Sequence, residues 1–279
     1  MKRILTSFVL LVGITACAGP GGMGPGGGLM YRVPDNPSLV YLTADTSTID
    51  IDAGPMGSMR MRGTGTATLG VTFARSADGV QVTTSFQKLN SRLSNPTGGA
   101  QTASESDLEG DLVFTMDSKG HSTVVSVPET RGAAGQLANP QALAFELFPL
   151  LPGSAVDPGD TWTDTLHYAV ETDEASTEST SVRTYTLQGD TVVDGRTLLH
   201  ITMSGRADVV GTGVTQGMEV TQIFSGDVDG TILWDPARSV YVYGAFEQDM
   251  DGTVEVPGAG MPPMPMSVRG TSYVRLQES

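Results

Sequence analysis

The sequence predicts a mainly β fold: an antiparallel sheet of long strands curled around one apolar helix. Three observations carry this. Segments of period-two alternation separated by Gly, Asn and Asp turns run from about Ser38 to Pro128 and again from Thr161 to Gln277. A single stretch between them, Asn139 to Trp162, has the marks of a helix. Charged residues make up only 17% of the chain while Thr, Ser and Gly abound, the composition of a sheet with one polar face.

The helix is justified residue by residue. Asn139 can cap it, Pro140 suits its first turn, and Ala142, Leu143, Phe145, Glu146 and Leu147 follow. Pro149 and Pro152-Gly153 stop it. The run is apolar on most sides, so Phe145, Leu147 and Leu150 are expected under the sheet.

The first arm, 38–128, opens its strand pattern at Thr64 to Phe73 and turns at Ala77-Asp78-Gly79. Val80, Val82, Thr84 and Phe86 then alternate with Gln81, Thr83, Ser85 and Gln87. A pair at Leu108 to Met116 and Ser122 to Val127 is joined by Asp117 to Gly120. The second arm, 161–277, has strands at Arg183 to Gly189, Arg196 to Met203, Gly217 to Phe224, Thr231 to Asp235 and Val240 to Phe246. Trp162 opens it and is expected to pack against the helical stretch.

The arms look alike in two places. Residues Ser106 to Phe114 match Gly226 to Trp234. Thr48 to Ile51, a Gly-Pro-Met tip and Arg62-Gly63-Thr64 match Thr253 to Val256, a Pro-Met tip and Arg269-Gly270-Thr271. The second match begins one arm and ends the other, as in a permuted or pseudo-symmetric sheet. Chance likeness among Gly/Thr-rich strands is the competing account.

Residues 1–16 read as a leader: Lys2 and Arg3, then an apolar run from Ile4 to Ile14 too short to span a bilayer. It ends in Ile14-Thr15-Ala16-Cys17, which resembles the lipobox of bacterial lipid-anchored lipoproteins. The resemblance implies cleavage before Cys17 and its acylation with diacylglycerol and an N-acyl chain such as palmitate. Cys17 is the sole cysteine in 279 residues, so no internal disulfide accounts for it. Two or three acyl chains anchor stably. Ala18 stands where such lipoproteins carry aspartate for inner-membrane retention, which favours the outer membrane, facing the periplasm. Residues 17–30 read as the lipidated cysteine and a Gly-rich tether, and 31–279 as a single β-rich domain with its helix and hinge at 137–162.

The overall pattern resembles the half-barrel of LolA-like periplasmic lipoprotein carriers and related lipid-binding lipoproteins. That resemblance implies a curved sheet closed by a helical lid over an apolar hollow, and a hydrophobic ligand. A pair of β-sandwiches, one per arm, is the alternative.

Removing Lys2 and Arg3 from the 16 basic residues leaves 14 against 31 acidic ones, a net −17 that argues against nucleic acid. The three histidines, His121, His167 and His200, lack metal-ligand spacing and read as solvated. The acids of Asp227-Val228-Asp229-Gly230 and Asp249-Met250-Asp251-Gly252 recur only as fragments of a calcium loop, and read as turn or strand-edge acids. No nucleophile elbow, phosphate loop or metal helix occurs in the sequence, so no catalytic residue, metal or cofactor is assigned. Six of thirteen methionines cluster in the two tips: Met56, Met59, Met61, Met261, Met264 and Met266. They are candidates for a soft patch touching a ligand or an envelope protein partner, for simple packing or, with Met-x-Met spacing, for Cu(I). The sequence thus points to a non-enzymatic envelope lipoprotein that binds an apolar molecule or a protein, or else to a scaffold without a ligand.

Overall fold

A computed structural model describes residues 28–54, 57–95, 99–171, 175–215, 218–257 and 262–277. Its first part holds β1 (Ser38–Asp52), β2 (Ser58–Ser76), β3 (Gly79–Asn95), β4 (Gly99–Ser104), β5 (Leu108–Glu109), β6 (Leu112–Met116), β7 (Ser122–Ser126) and β8 (Glu129–Thr130). Helices α1 (Ala134–Leu137) and α2 (Pro140–Glu146) follow. Then come β9 (Thr161–Glu171), β10 (Ala175–Val193), β11 (Arg196–Thr215), β12 (Met218–Asp235), β13 (Val240–Glu255) and β14 (Met264–Gln277). One antiparallel sheet runs β7-β6-β3-β2-β1-β14-β13-β12-β11-β10-β9, with β4 on the far half of β3, and it curls into a half-barrel. The two arms therefore share a single sheet, which removes the sandwich alternative. Their junction is β1 on β14, paired from Val40↔Gln277 to Ile51↔Met266.

Directly paired residues of an antiparallel sheet point to the same side. The registers therefore sort the concave face into rows. Tyr41, paired with Leu69 and Leu276, lies in the lowest rows, and Ile51, paired with Met59 and Met266, in the highest. The rim at the high end gathers the tips of β1–β2, β3–β4, β9–β10, β11–β12 and β13–β14. The base gathers the turns after β2, β6, β10 and β12.

Glycine on the concave face permits the curl. A Cβ at Gly226 or Gly252 would run into the backbone carbonyl oxygens of Asp249 and Ile223 respectively, so β12 and β13 approach there as only glycine allows. This is why the second arm's strands are longer than the sequence suggests. Gly226 and Gly230 read as breaks, yet both sit inside the continuous β12.

The base is filled. Phe148 stands among Tyr31, Tyr41, Phe73, Phe114 and Tyr241, with ring centroids 5.8 to 6.4 Å away. Tyr31 comes from the segment before β1, and its hydroxyl donates to the Pro149 carbonyl at 2.7 Å. Leu29 is only 1% exposed and exchanges backbone hydrogen bonds with Ser154 and Gly153. The folded body thus begins at least two residues before the tether boundary expected at residue 30.

The helical stretch closes the seam between the sheet's edges. Asn139 adopts φ 36°, and its side-chain oxygen accepts from the Ala142 amide at 3.3 Å. From there α2 packs on β6 and β7 at one edge and on β9 at the other. It ends at Glu146, and the single turn α1 precedes it, a second helix the sequence does not announce. Leu147, Phe148, Leu150 and Leu151 continue it as buried irregular chain, while Phe145 is half-buried and stacks on Tyr168 at 5.0 Å.

Two sequence expectations fail. The strand expected from Leu108 to Met116 breaks at Gly110 (φ 95°); its first two residues pair with β8 instead. Ser106 to Phe114 is therefore not the counterpart of Gly226 to Trp234. The methionine tips are also more regular than their Gly and Pro residues suggest. Met59, Met61, Met264 and Met266 all lie within strands, and Pro265 sits second in β14.

Leu147 is 1% exposed, so Leu147→Ala should lower stability by about 2–5 kcal/mol. Leu147→Asp should not fold. Denaturant melts equal to wild type would show the helical stretch to be a dispensable cover.

Candidate functional site

Between the filled base and the rim the concave face is not filled by its own side chains. A hollow of about 570 Å³ lies there, roofed by Leu137, Ala138, Leu143, Glu146 and Leu147 from the helical stretch. Its size falls within the range of small-molecule sites. Its wall has two zones. Toward the rim it is lined by Phe224, Met250, Val209 and Val268, which belong to a second buried apolar cluster extending to Val254, Met266, Ile49 and Ile51. Below them runs a belt of polar residues, among them Asp45, Ser47, Ser91, Arg183, Gln248 and Ser272.

The belt follows from the registers. One row reads Asp164, Arg183, Gly205, Val228, Gln248, Gly270 and Ser47 across the sheet. The row beneath includes Ser272, Asp45, Gly65 and Ser91. Glycines between the long side chains give them room. The Asp45 carboxylate lies over Gly65, and a Cβ at Gly205 would stand 3.2 Å from the Arg183 Cγ.

The ionisable groups differ in how far they are satisfied. Glu146 accepts a hydrogen bond from the Tyr168 hydroxyl at 2.7 Å. Asp45 has no ion pair or hydrogen bond with the described residues. Solvent in the hollow reaches it, but the surrounding wall is enough to raise its carboxyl above the usual range by desolvation. Arg183 donates through Nε to the Ser181 hydroxyl at 3.0 Å. Beside it the wholly buried Tyr185 hydroxyl is near enough to feel both Arg183 and the Leu150 backbone, yet meets neither in hydrogen-bond geometry. The Tyr185 ring stacks on Trp162 at 5.3 Å, and the Trp162 Nε1 donates to the Leu150 carbonyl at 3.2 Å.

His121 is not the solvated histidine the sequence suggests. It ends the turn between β6 and β7, where its Nδ1 lies 3.0 Å from the Asp117 carboxylate. Its Nε2 lies 3.1 Å from Asp164 of β9. Burial alone would lower its pKa, but the hydrogen bonds and charges of Asp117 and Asp164 outweigh that and raise it. A histidine held between two carboxylates thus clasps the two edges of the sheet together. No local pattern marks this, since Asp164 is 43 residues away in sequence. His167, by contrast, is exposed and hydrogen-bonded to Thr180, and His200 faces the convex side.

Of the methionine candidates, Met56 and Met261 lie outside the described residues, as does Cys17. The hairpins that carry the rest are neighbours at one rim. Ile51 pairs with Met59 on one side and Met266 on the other, and Ile49 with Met61 and Val268. These side chains point into the half-barrel: Met266 is buried, and Met59, Met61 and Met264 are half-buried.

The acids expected at turns stand instead in mid-strand on the convex face. Asp227 pairs across strands with Asp249, and Arg269 reaches Asp249 at 2.7 Å and Asp251 at 3.2 Å. Among the described residues no three acids, histidines or cysteines are grouped to hold a metal, and no helix is long and apolar enough to cross a membrane. Around these acids the convex face is charged, unlike the apolar outer wall of a barrel that meets lipid.

No family model matches the chain, and no curated protein does. Among solved structures it is similar to Neisserial surface protein A, with 8% identity over 85% of this chain and 96% of that one, at a TM-score of 0.26. An outer membrane channel from Pseudomonas putida F1 gives 8% identity over 86% and 95%, at 0.27. Pseudomonas aeruginosa OccK2 in complex with glucuronate gives 7% over 89% and 100%, at 0.24. Likeness at that level fixes neither fold nor function.

The clasp makes stability depend on pH. Because the folded-state pKa of His121 is raised, its contribution is complete below the unfolded value of about 6.5 and is lost as pH rises through the folded value. His121→Gln should flatten the melting temperature against pH over that window. A variant with the wild-type slope would show that the clasp does not hold the seam.

Proposed function

We propose that this chain is an envelope lipoprotein, anchored through acylated Cys17 on the periplasmic side of the outer membrane, that holds a hydrophobic small molecule or lipid in its half-barrel. It acts by binding, not by catalysis. The unfilled hollow of about 570 Å³, roofed by the helical stretch, is the observation that carries this reading. A scaffold with no ligand has no use for such a space and gains stability by filling it.

The charged residues of the convex face, among them Asp227, Asp249, Asp251 and Arg269, support anchoring by lipid over insertion of the sheet itself. Leu29 enters the fold at the base, beside the turn after β6, since the Tyr31 amide donates to the Ser118 carbonyl. Strands of 15 to 20 residues, about 50–65 Å long, then separate that entry from the rim. An anchor at the base leaves the methionine rim facing the periplasm, where a ligand or a partner protein meets it.

Two experiments test the reading. Cys17→Ser should move the chain from the membrane fraction to the soluble fraction or leave it as an uncleaved precursor; a processed, wholly membrane-bound variant would refute the anchor. Val228→Trp puts a large ring on the wall of the hollow from a half-buried position. It should abolish binding of an environment-sensitive naphthyl probe while leaving the melting temperature within a few degrees. Unchanged probe binding would sink the hollow as the site.

A further inference from the structure

We propose that the hollow selects a single-chain amphiphile with an oxyanion head, a carboxylate or a phosphate, and that Arg183 receives that head. This rests on the reading of the hollow as a binding site. It goes further by assigning the chemistry of what enters.

A guanidinium carries five donors in a fixed fork and keeps its charge at any ordinary pH. Arg183 is half-buried on the wall of the hollow, yet among the described residues it donates only to the Ser181 hydroxyl, at 3.0 Å. Its cross-strand partner Asp164 is already held by His121 at 3.1 Å. The Arg183 donors that Ser181 does not use therefore stand on the wall of the hollow, and what they lack is an acceptor oxygen, best a charged one.

The acids in the hollow do not make the opposite demand with equal force. Glu146 is engaged by the Tyr168 hydroxyl. Asp45 lies over Gly65 in the next row, and a carboxylate in a desolvating wall can take up a proton, a response closed to arginine. Rimward of Arg183 the wall turns apolar within two rows, at Met250 and Val268 and then Phe224 and Met266. An oxyanion on Arg183 would thus place an alkyl tail against that cluster, where thioethers adapt to chains of differing shape. With a formal charge of −15 the whole chain does not draw anions from a distance, so the preference is local to this arginine.

The test uses the full mature chain carrying Cys17→Ser, stripped of bound lipid. Tetradecanoate, its methyl ester, tetradecyl phosphate and tetradecylamine compete for the bound naphthyl probe. The carboxylate, the phosphate or both should bind about tenfold or more tightly than the ester, and the tighter of the two names the source of the head. Arg183→Met should bring the acids down to the level of the ester, and Arg183→Lys should restore part of the difference. The wild-type comparison stands even if a variant fails to fold. Equal binding of acid and ester, or tightest binding of the amine, would overturn the head-group assignment and leave the hollow as a binding site. Binding of none of the four would overturn both.

Discussion

An open sheet that curls but does not close has two unpaired edges and one uncovered apolar face. The structure answers both needs with the same short stretch, residues 134–151. Its helix α2 touches β6 and β7 on one edge and β9 on the other, and Phe148 behind it fills the base with rings from both arms. The His121 clasp adds a charged tie across the same seam. Without this stretch the sheet would expose long edges and a hydrophobic concavity, the two features soluble β proteins avoid.

How much of this the sequence showed follows the range of the signals. The helix was legible because its cap, first-turn proline and apolar run are local to Asn139 to Leu147. The strand alternation in β3 was legible too, with Val80, Val82 and Thr84 buried as expected. Strand lengths were not, since glycine reads as a breaker unless one knows it faces the inside of a curl, as Gly226 and Gly252 do. The Ser/Thr-rich start of β10 hid a strand whose inward residues, Ser179 and Ser181, are small polar ones. His121 and Arg183 gave no signal, because their significance comes from strands that meet only in the folded sheet. The methionine tips fall between these cases: their likeness was visible, but their inward direction depends on the register of β1 with β2 and β14.

The concave face is layered. Rings pack the base, a belt of serines and charged groups crosses the middle, and aliphatic and thioether side chains line the part nearest the rim. Polar groups in mid-wall cost stability, and a fold that only had to stand up would place apolar residues there. Here glycines are set between them to give them space. On the function proposed above, such a layout would orient an amphiphile along the barrel, with the part of the fold that supplies stability kept apart from the part that would receive the guest.

The pairing of β1 with β14 carries a consequence for how the protein is made. Synthesis from the N-terminus delivers β1 and β2 before the other strands of the sheet and β14 after them. Until β14 arrives, β1 on one half-sheet and β13 on the other present long unpaired edges, with most of the sequence between them still to be arranged. Completion of the sheet is therefore a late, long-range event. A chain cut before Met264 would leave two half-sheets with no common partner, and such edges are the surfaces on which nascent β proteins aggregate. Folding of this sheet accordingly places a premium on keeping the incomplete chain apart from its neighbours until the last strand is inserted.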